Sequence, residues 1–434
     1  MRDLVLLFGL IASVGFIFRY PFAGVLAWGW LSFMVPQTMS YGFLSSAPIN
    51  FGIAILTLAI WLLSKERKGL PDDMLPRLML LMVLWMLLNS YFAPHPEWSQ
   101  PKFEVTMKTY PFIFLCLAMT NTKARIHALV LVLVISLTYF GGRGGLYTIL
   151  SGGTYHMTAA GSIYIDNNQM ALALVMGLPL LNYLRETSAN RLVRMSCTGA
   201  IVMQMICILG SYSRGGLLAL AGMATLFWFR SRRKLFFLIM AVIFVFGTLS
   251  LMPAAFFERM NTIKHAEQDD SFMTRVESWQ VCFHYAVDHF PFGAGFNGTL
   301  FPEIFHSYFP AAKPIVAHSI YFQVLGDNGF PGLFLYLCTL WLSWRNARLV
   351  SRRCKSDSRL AWAARLASAL EVGIFGYAIG GAALSVPYWD GFLTVQAMTS
   401  ILREMTDPKR LARTVESPES QLRPLSSPGV GSAG

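Results

Sequence analysis

Three positions in this chain carry residue types suited to acting on a charged or hydroxylated substrate. Arg214 stands in Ser211-Tyr212-Ser213-Arg214-Gly215-Gly216, at a junction between two apolar runs. The two glycines let a polar ligand or another backbone approach closely, and a guanidinium binds phosphate through a bidentate fork. The same position also suits an arginine whose stem lies in an apolar layer while its head stays in water. Arg275, in Thr274-Arg275-Val276-Glu277-Ser278-Trp279, is a cation at the start of a helical pattern; in isolation it reads as the partner of Glu277, Asp269 or Asp270. His318 opens Ala317-His318-Ser319-Ile320-Tyr321-Phe322-Gln323-Val324-Leu325-Gly326-Asp327-Asn328-Gly329-Phe330-Pro331-Gly332. In the first turn of a membrane helix the positive end of the dipole disfavours imidazolium, leaving the neutral ring that a general base must be. The competing role is an interfacial histidine bonded to a carbonyl.

Other polar positions carry less. Gly141-Gly142-Arg143-Gly144-Gly145, with Gly152-Gly153 and His156, has the composition of a re-entrant loop around an anion, but a flexible connector is the expected form. It is no Walker A loop, since no Gly-Lys-Ser/Thr follows. Glu371 lies inside an apolar run and attracts a functional hypothesis by default, with a hydrogen-bonded structural role at least as good a fit. His284 and His289 lack metal-ligand spacing, so no metal is expected.

The elements that must position these residues follow from composition. Hydrophobic residues make up 55% of the 434 and charged residues 13%, against about 25% charged in soluble domains. Mean hydropathy is +0.49. A soluble enzyme, a disordered scaffold and a secreted disulfide protein are excluded. Apolar runs fall near 4–35, 51–63, 75–93, 105–120, 126–140, 168–184, 195–212, 217–230, 235–252, 319–343, 363–384 and 391–403. Arg19-Tyr20-Pro21 interrupts the first run, and proline favours a break. Counted as one broken crossing, it gives about twelve spans and an N-terminus inside; counted as two, it puts the N-terminus outside. The first count is preferred. No small-residue cleavage site follows Leu4 to Phe18, so that run is expected to stay as an anchor.

The net charge of +12 would suit nucleic acid if it were spread over one face, but its placement excludes that partner. Lys and Arg collect in short clusters between apolar runs, at Lys65 to Lys68, Lys123 and Arg125, Arg185 to Arg194, Arg230 to Lys234 and Arg345 to Arg365. All these clusters fall on one side, the pattern of cytoplasmic loops, together with Arg2. The opposite side receives 94–104, 141–167, the Arg214 corner, 253–317 and 385–390. Of the cysteines only Cys282 lies in a long polar loop, so no internal disulfide is expected.

The domain reading has N-terminal membrane helices over 1–252, a long loop over 253–317, C-terminal membrane helices over 318–404 and a disordered cytoplasmic tail over 405–434. The loop holds thirteen aromatic residues, too many for a solvated linker. Val276, Trp279, Phe283, Ala286, Val287 and Phe290 follow helical spacing, with Asp269, Asp270 and Ser271 as cap residues. A folded lid along the membrane surface is expected. No internal repeat is visible.

Taken together, these segments resemble the bacterial O-antigen ligase and O-antigen polymerase superfamily. The likeness lies in Ser213-Arg214-Gly215-Gly216 ending a span, then Arg275-Val276-Glu277-Ser278-Trp279 and His289-Phe290-Pro291-Phe292-Gly293-Ala294-Gly295-Phe296 in the long loop. The His318-to-Gly332 segment then opens the next span. Where the family often has Asn after the histidine and Glu near the end of that segment, Ser319 and Asp327 stand here, a variant similar to a subgroup of O-glycosylation ligases.

The resemblance implies an all-α polytopic glycosyltransferase of GT-C type in the bacterial inner membrane, working on its periplasmic face without a cofactor. Its donor is a glycan on undecaprenyl pyrophosphate and, for a ligase, its acceptor is a sugar hydroxyl of lipid A–core. Arg214 and Arg275 then bind the diphosphate and His318 serves as general base, with Arg143 and Trp279 added as substrate contacts and membrane lipids as surroundings. An O-antigen polymerase or a protein O-glycosylation ligase would use the same donor. A lipid-linked sugar transporter is the rival from another class, but transporters commonly carry internal repeats and intramembrane charges.

Overall fold

The computed structural model describes the chain except residues 1, 41, 46, 155–165, 231–233, 251, 255–256, 258–269 and 416–434. His156, Asp269, the first part of the long loop and most of the C-terminal tail lie outside the described residues. Among those described, every regular element is helical. The chain is an all-helical membrane protein. Helices α1 (Arg2–Arg19), α2 (Phe22–Met34), α3 (Ile49–Leu63), α4 (Met74–Tyr91) and α5 (Pro96–Met119) precede α6 (Lys123–Leu150), α7 (Asn167–Thr187), α8 (Arg191–Gly210), α9 (Arg214–Arg230) and α10 (Lys234–Leu249). The long loop contributes α11 (Asp270–Asp288) and α12 (Pro302–Tyr308). After it come α13 (Ile320–Arg353), α14 (Ala361–Gly381), α15 (Asp390–Met405) and α16 (Pro408–Val415). Several starts carry local side-chain caps: the Asp73, Thr122, Asp166 and Asn190 side chains accept from the first backbone N–H groups of α4, α6, α7 and α8.

Packing sorts the helices by depth. Helix α7 is buried without interruption from Met170 to Leu181, and α15 from Asp390 to Leu402. Helix α10 instead exposes Leu235, Leu238, Val242, Ile243 and Phe246, apolar side chains suited to lipid. Three helices, Met74–Tyr91, Lys123–Leu150 and Arg191–Gly210, are both long and apolar enough to cross a bilayer on their own. Helices such as Phe22–Met34 and Ile49–Leu63 fall short in length, so a count of twelve crossings rests on charge pattern and not on helix length.

Ion pairs gather the basic loops at one end of the bundle. Arg67 pairs with Glu404 (2.7 Å), Arg125 with Glu66 (2.6 Å) and Arg403 with Asp73 (2.8 Å). Against this frame the N-terminal run departs from the single broken crossing. The Asp3 carboxylate at the start of α1 accepts from the Leu44 N–H beyond the end of α2, while Phe22 at the start of α2 lies under the Arg125 guanidinium. Helices α1 and α2 therefore form an antiparallel hairpin. Pro21, with no N–H and a φ of −54°, starts α2 as a new helix. This puts Arg19 at the basic end and the start of α1 at the other, the arrangement that a count of two crossings expects.

A second departure concerns 141–167. Helix α6 runs unbroken through Gly141 to Gly145 up to Leu150, so the stretch is neither re-entrant loop nor connector there. A Cβ on Gly145 would strike the Met203 carbonyl, and one on Gly141 the Gln204 side chain. These glycines let α6 and α8 approach at backbone distance, the usual reason for small residues between membrane helices. Likewise 94–104, expected as a loop, forms the start of α5.

The hairpin makes a labelling prediction. In a cysteine-free background, Leu300→Cys should react with an impermeant thiol reagent added to spheroplasts, while Tyr20→Cys and Lys355→Cys should react only after permeabilisation. Tyr20 is 58% exposed, so access alone does not protect it. A Tyr20→Cys protein unreactive under both conditions would restore the broken single crossing.

Candidate active site

Two strained corners face one another at the end of the bundle opposite the basic loops. At the first, between α8 and α9, the buried Tyr212 adopts φ +55°, a left-handed conformation that costs a bulky L-residue about 1–2 kcal/mol. Its hydroxyl donates to the Gly153 carbonyl (2.9 Å). Ser211 Oγ accepts from the Ser213 N–H (3.2 Å), and Ser213 Oγ accepts from the Gly216 N–H (3.0 Å), capping α9. Asn167 at the start of α7 donates to the Ser211 carbonyl (2.5 Å). Gly216 lies against Ala171 and Gly215 against Leu384, where a Cβ would not fit. Arg214, half-buried, thus becomes the first residue of α9 and adds its charge to the positive end of that helix dipole, a combination suited to an anion.

The second corner is His318, also left-handed at φ +46° and half-buried. Helix α11 holds the segment leading into it: Ser278 Oγ donates to the Ile315 carbonyl (2.9 Å) and Trp279 Nε1 to the Ala317 carbonyl (2.5 Å). The Trp279 ring stacks on Phe322 of α13, with centroids 5.2 Å apart. Beyond it, the Tyr321 hydroxyl anchors the start of α13 on the Ala378 carbonyl (2.8 Å). Burial and the Arg275 guanidinium hold the His318 imidazole below its ordinary pKa, with Asp166 acting in the opposite sense. The sign matches the helix-dipole expectation but the cause differs. His318 precedes the Ser319 cap position and is not in the first turn, so burial and a neighbouring cation dominate.

His318, Arg275 and Asp166 therefore interact, and the corner that carries Arg214 is tied to them through α7, where Asn167 follows Asp166 and donates to the Ser211 carbonyl. Trp279 has its indole N–H committed to Ala317 and serves to position the histidine segment. Arg143 is exposed on α6, its guanidinium 5.6 Å from the Tyr147 ring centroid and engaged with Tyr139. None of the described contacts joins it to His318. Glu371 is buried midway along α14, two turns from the Ala378 contact. His284 stacks on Tyr308 and His289 on Tyr285, and no metal-ligand cluster occurs among the described residues. The apolar stripe of α11 is also split: Ser278, Val281, Cys282, Tyr285 and Ala286 face inward, whereas Phe283, Val287 and Phe290 are exposed. Phe283 and Phe290 both lie against Phe330 of α13, which extends the apolar surface of the loop along the bundle.

Sequence reasoning missed what locks the long loop to the bundle. Within α13, Gly329 leaves helical geometry at φ +67°, and Pro331 has no N–H for the Asp327 carbonyl one turn back. The carbonyls so released are satisfied from outside. Ala294 N–H donates to Gly326 (2.8 Å), Gly295 N–H to Asp327 (3.1 Å), Asn89 Nδ2 to Asp327 (2.7 Å) and Trp85 Nε1 to Asn328 (2.8 Å). Asn89 Oδ1 in turn accepts from the Gly293 N–H (2.7 Å). The buried Asp327 carboxylate accepts from the Asn297 N–H (2.8 Å) and the Tyr388 hydroxyl (3.2 Å). A lone Asn in an apolar helix, as Asn89 is, was the available signal for this lock. Asp166, in the polar run Asp166-Asn167-Asn168 before α7, was the corresponding signal for the site.

Residues 199–337 match the family model described as O-antigen ligase, and residues 1–189 match a family of unknown function (DUF5935). The first match spans both corners, α11 and the interlocked glycines. No curated protein matches the chain.

Proposed function

The chain belongs to the O-antigen ligase superfamily through residues 199–337, and on that premise we propose that it is an O-antigen ligase. It moves a glycan from undecaprenyl pyrophosphate to a sugar hydroxyl of lipid A–core, at the periplasmic face of the bacterial inner membrane. The observation that carries this reading is the meeting of a neutral-biased His318 with Arg275, next to the Arg214 corner at the end of the bundle away from the basic loops. His318 accepts the acceptor hydroxyl proton as the new glycosidic bond forms. The bond from the anomeric carbon to the diphosphate breaks, and the lipid diphosphate leaves with the electron pair. Arg214 and Arg275 neutralise the charge that builds on it. Attack opposite the leaving group inverts the anomeric centre. The exposed Phe283, Val287 and Phe290 on the lid give the polyprenyl chain an apolar surface beside the site.

The test is turnover by purified protein with a lipid-linked glycan and three acceptors supplied separately: lipid A–core, a second lipid-linked glycan, and protein. Product on lipid A–core supports the ligase. Product only on one of the others makes the protein a polymerase or a protein O-glycosylation ligase. Movement of donor across a bilayer with no product on any acceptor would make it a transporter.

The arginines make a separate prediction. Arg214→Ala and Arg275→Ala should each weaken donor binding as well as slow transfer, by about tenfold or more in binding, because a charge-assisted hydrogen bond contributes about 1.5–3 kcal/mol. Lys should restore little where the contact is a bidentate fork. Donor affinity measured on folded variants checks this; unchanged affinity in both would return the pair to a structural role.

A further inference from the structure

The basic end of α13 carries cations that no described carboxylate pairs with. Arg345, Arg348 and Arg352 recur at helical spacing and form one stripe, with Arg353 beside it. Together with Trp344 and Leu349 they line an open groove of about 390 Å³. Among the described residues none of the four has a carboxylate within ion-pair distance. Arg67, Arg125, Arg403 and Arg410 at the same end are each paired. Arg353 donates to the Thr406 carbonyl, at 3.5 Å. Two of the guanidiniums lie over tryptophan rings, Arg345 at 5.4 Å from Trp341 and Arg348 at 4.8 Å from Trp344. Trp341 is 55% exposed and sits one turn nearer the apolar part of the helix, as an interfacial ring does. The larger groove beside Arg191 and Arg194 has two cations and no aromatic lining.

We propose that this groove is a binding site for the headgroup of an anionic phospholipid, with phosphate held by the Arg345–Arg348–Arg352 stripe and acyl chains lying along Trp341 and Trp344. The cation–π contacts hold two guanidiniums in the headgroup layer before a lipid arrives. Four cations in that layer, unpaired among the described residues, favour an anionic over a zwitterionic headgroup. The alternative is that the arginines only complement the negative end of the α13 dipole, which would stabilise the helix without any lipid preference. The proposal does not depend on the transfer reaction and is tested without it.

Native mass spectrometry of the purified full-length protein, offered phosphatidylglycerol or phosphatidylcholine in equal amounts, reads the preference. The wild type should retain phosphatidylglycerol at least about fivefold better. The Arg345→Gln, Arg348→Gln, Arg352→Gln triple variant should lose the preference, and the matching Lys variant should keep most of it. Arg359→Gln, whose arginine is exposed and paired with Asp357, should behave as wild type. A photoreactive phosphatidylglycerol should crosslink to residues 341–353 of the wild type, which reads the site even where the Gln variant fails to fold. Equal retention of both lipids, a triple Gln variant that keeps the preference, or crosslinks confined to other segments would overturn the site. Displacement of the lipid by inorganic phosphate alone would assign the groove to a soluble anion.

Discussion

Replacing His318 by alanine should lower single-turnover transfer by about 10² to 10⁴ while leaving lipid-linked donor binding close to wild type. The proton moves only during chemistry, so ground-state binding does not need the imidazole. The pH profile separates a base from a packing residue. A lowered pKa leaves His318 neutral at pH 7, and the rate should fall only as pH drops through a value below 6.5. Burial lowers that value first, Arg275 second, and Asp166 raises it. Arg275→Gln should therefore move the acid limb upward, since imidazolium is then less disfavoured. Asp166→Asn should move it downward, since a stabilising charge is lost. Saturating donor keeps the binding defect of the arginine variant out of the comparison. A folded His318→Ala protein with normal transfer, or acid limbs that stay fixed in both neighbour variants, would remove His318 from the proton transfer.

Alanine at Gly329 or Gly293 should cost the protein its active fold, although neither residue has a side chain to contribute. A Cβ at Gly329 would strike the Pro291 carbonyl and the Phe292 backbone, at a φ of +67° that L-residues rarely adopt. One at Gly293 would stand 2.5 Å from the Asn328 nitrogen and 2.6 Å from the Gly329 nitrogen. These neighbours are backbone and cannot swing aside. Overpacking costs about 1–3 kcal/mol at either position, and at Gly329 left-handed strain of about 1–2 kcal/mol adds to it. That is a large share of a marginal stability. Separation of the two segments would also strand the carbonyls of 326–328 without donors. Expression, thermal stability and protease sensitivity of the 270–317 lid check this. By contrast Gly152→Ala, where a Cβ meets nothing within 4 Å, should affect these readouts only through its own φ of +59°. Full stability in both Gly329→Ala and Gly293→Ala would show that the interlock does not hold the lid.

The sites most legible in the chain were those where charge or a forbidden chemistry is local. Arg214 ahead of two glycines, Arg275 within the helical pattern of the long loop and His318 just ahead of a helix could be singled out from neighbours alone, because capping and glycine freedom act over a few residues. The lid helix Asp270–Asp288 was equally readable, but which of its faces is buried was not. Its apolar pattern serves two environments, the bundle under Val281 and Cys282 and the apolar surface shared by Phe283, Phe290 and Phe330, and hydrophobicity cannot tell them apart.

Composition and charge order by themselves determined that this chain is a helical membrane protein and that its basic loops share one side, because burying charge in a bilayer is costly wherever it occurs in the sequence. Tertiary structure alone decided the rest. It turned the N-terminal run into a hairpin through the Asp3–Leu44 and Phe22–Arg125 contacts, and made Gly141 to Gly145 a packing surface. It also set Asp166 opposite His318 and bonded the loop at 293–297 to the kink at Gly329. These are meetings of segments from about thirty to about one hundred and fifty residues apart. They depend on which backbones can approach and which freed carbonyls find donors, and no local pattern of residue types encodes that.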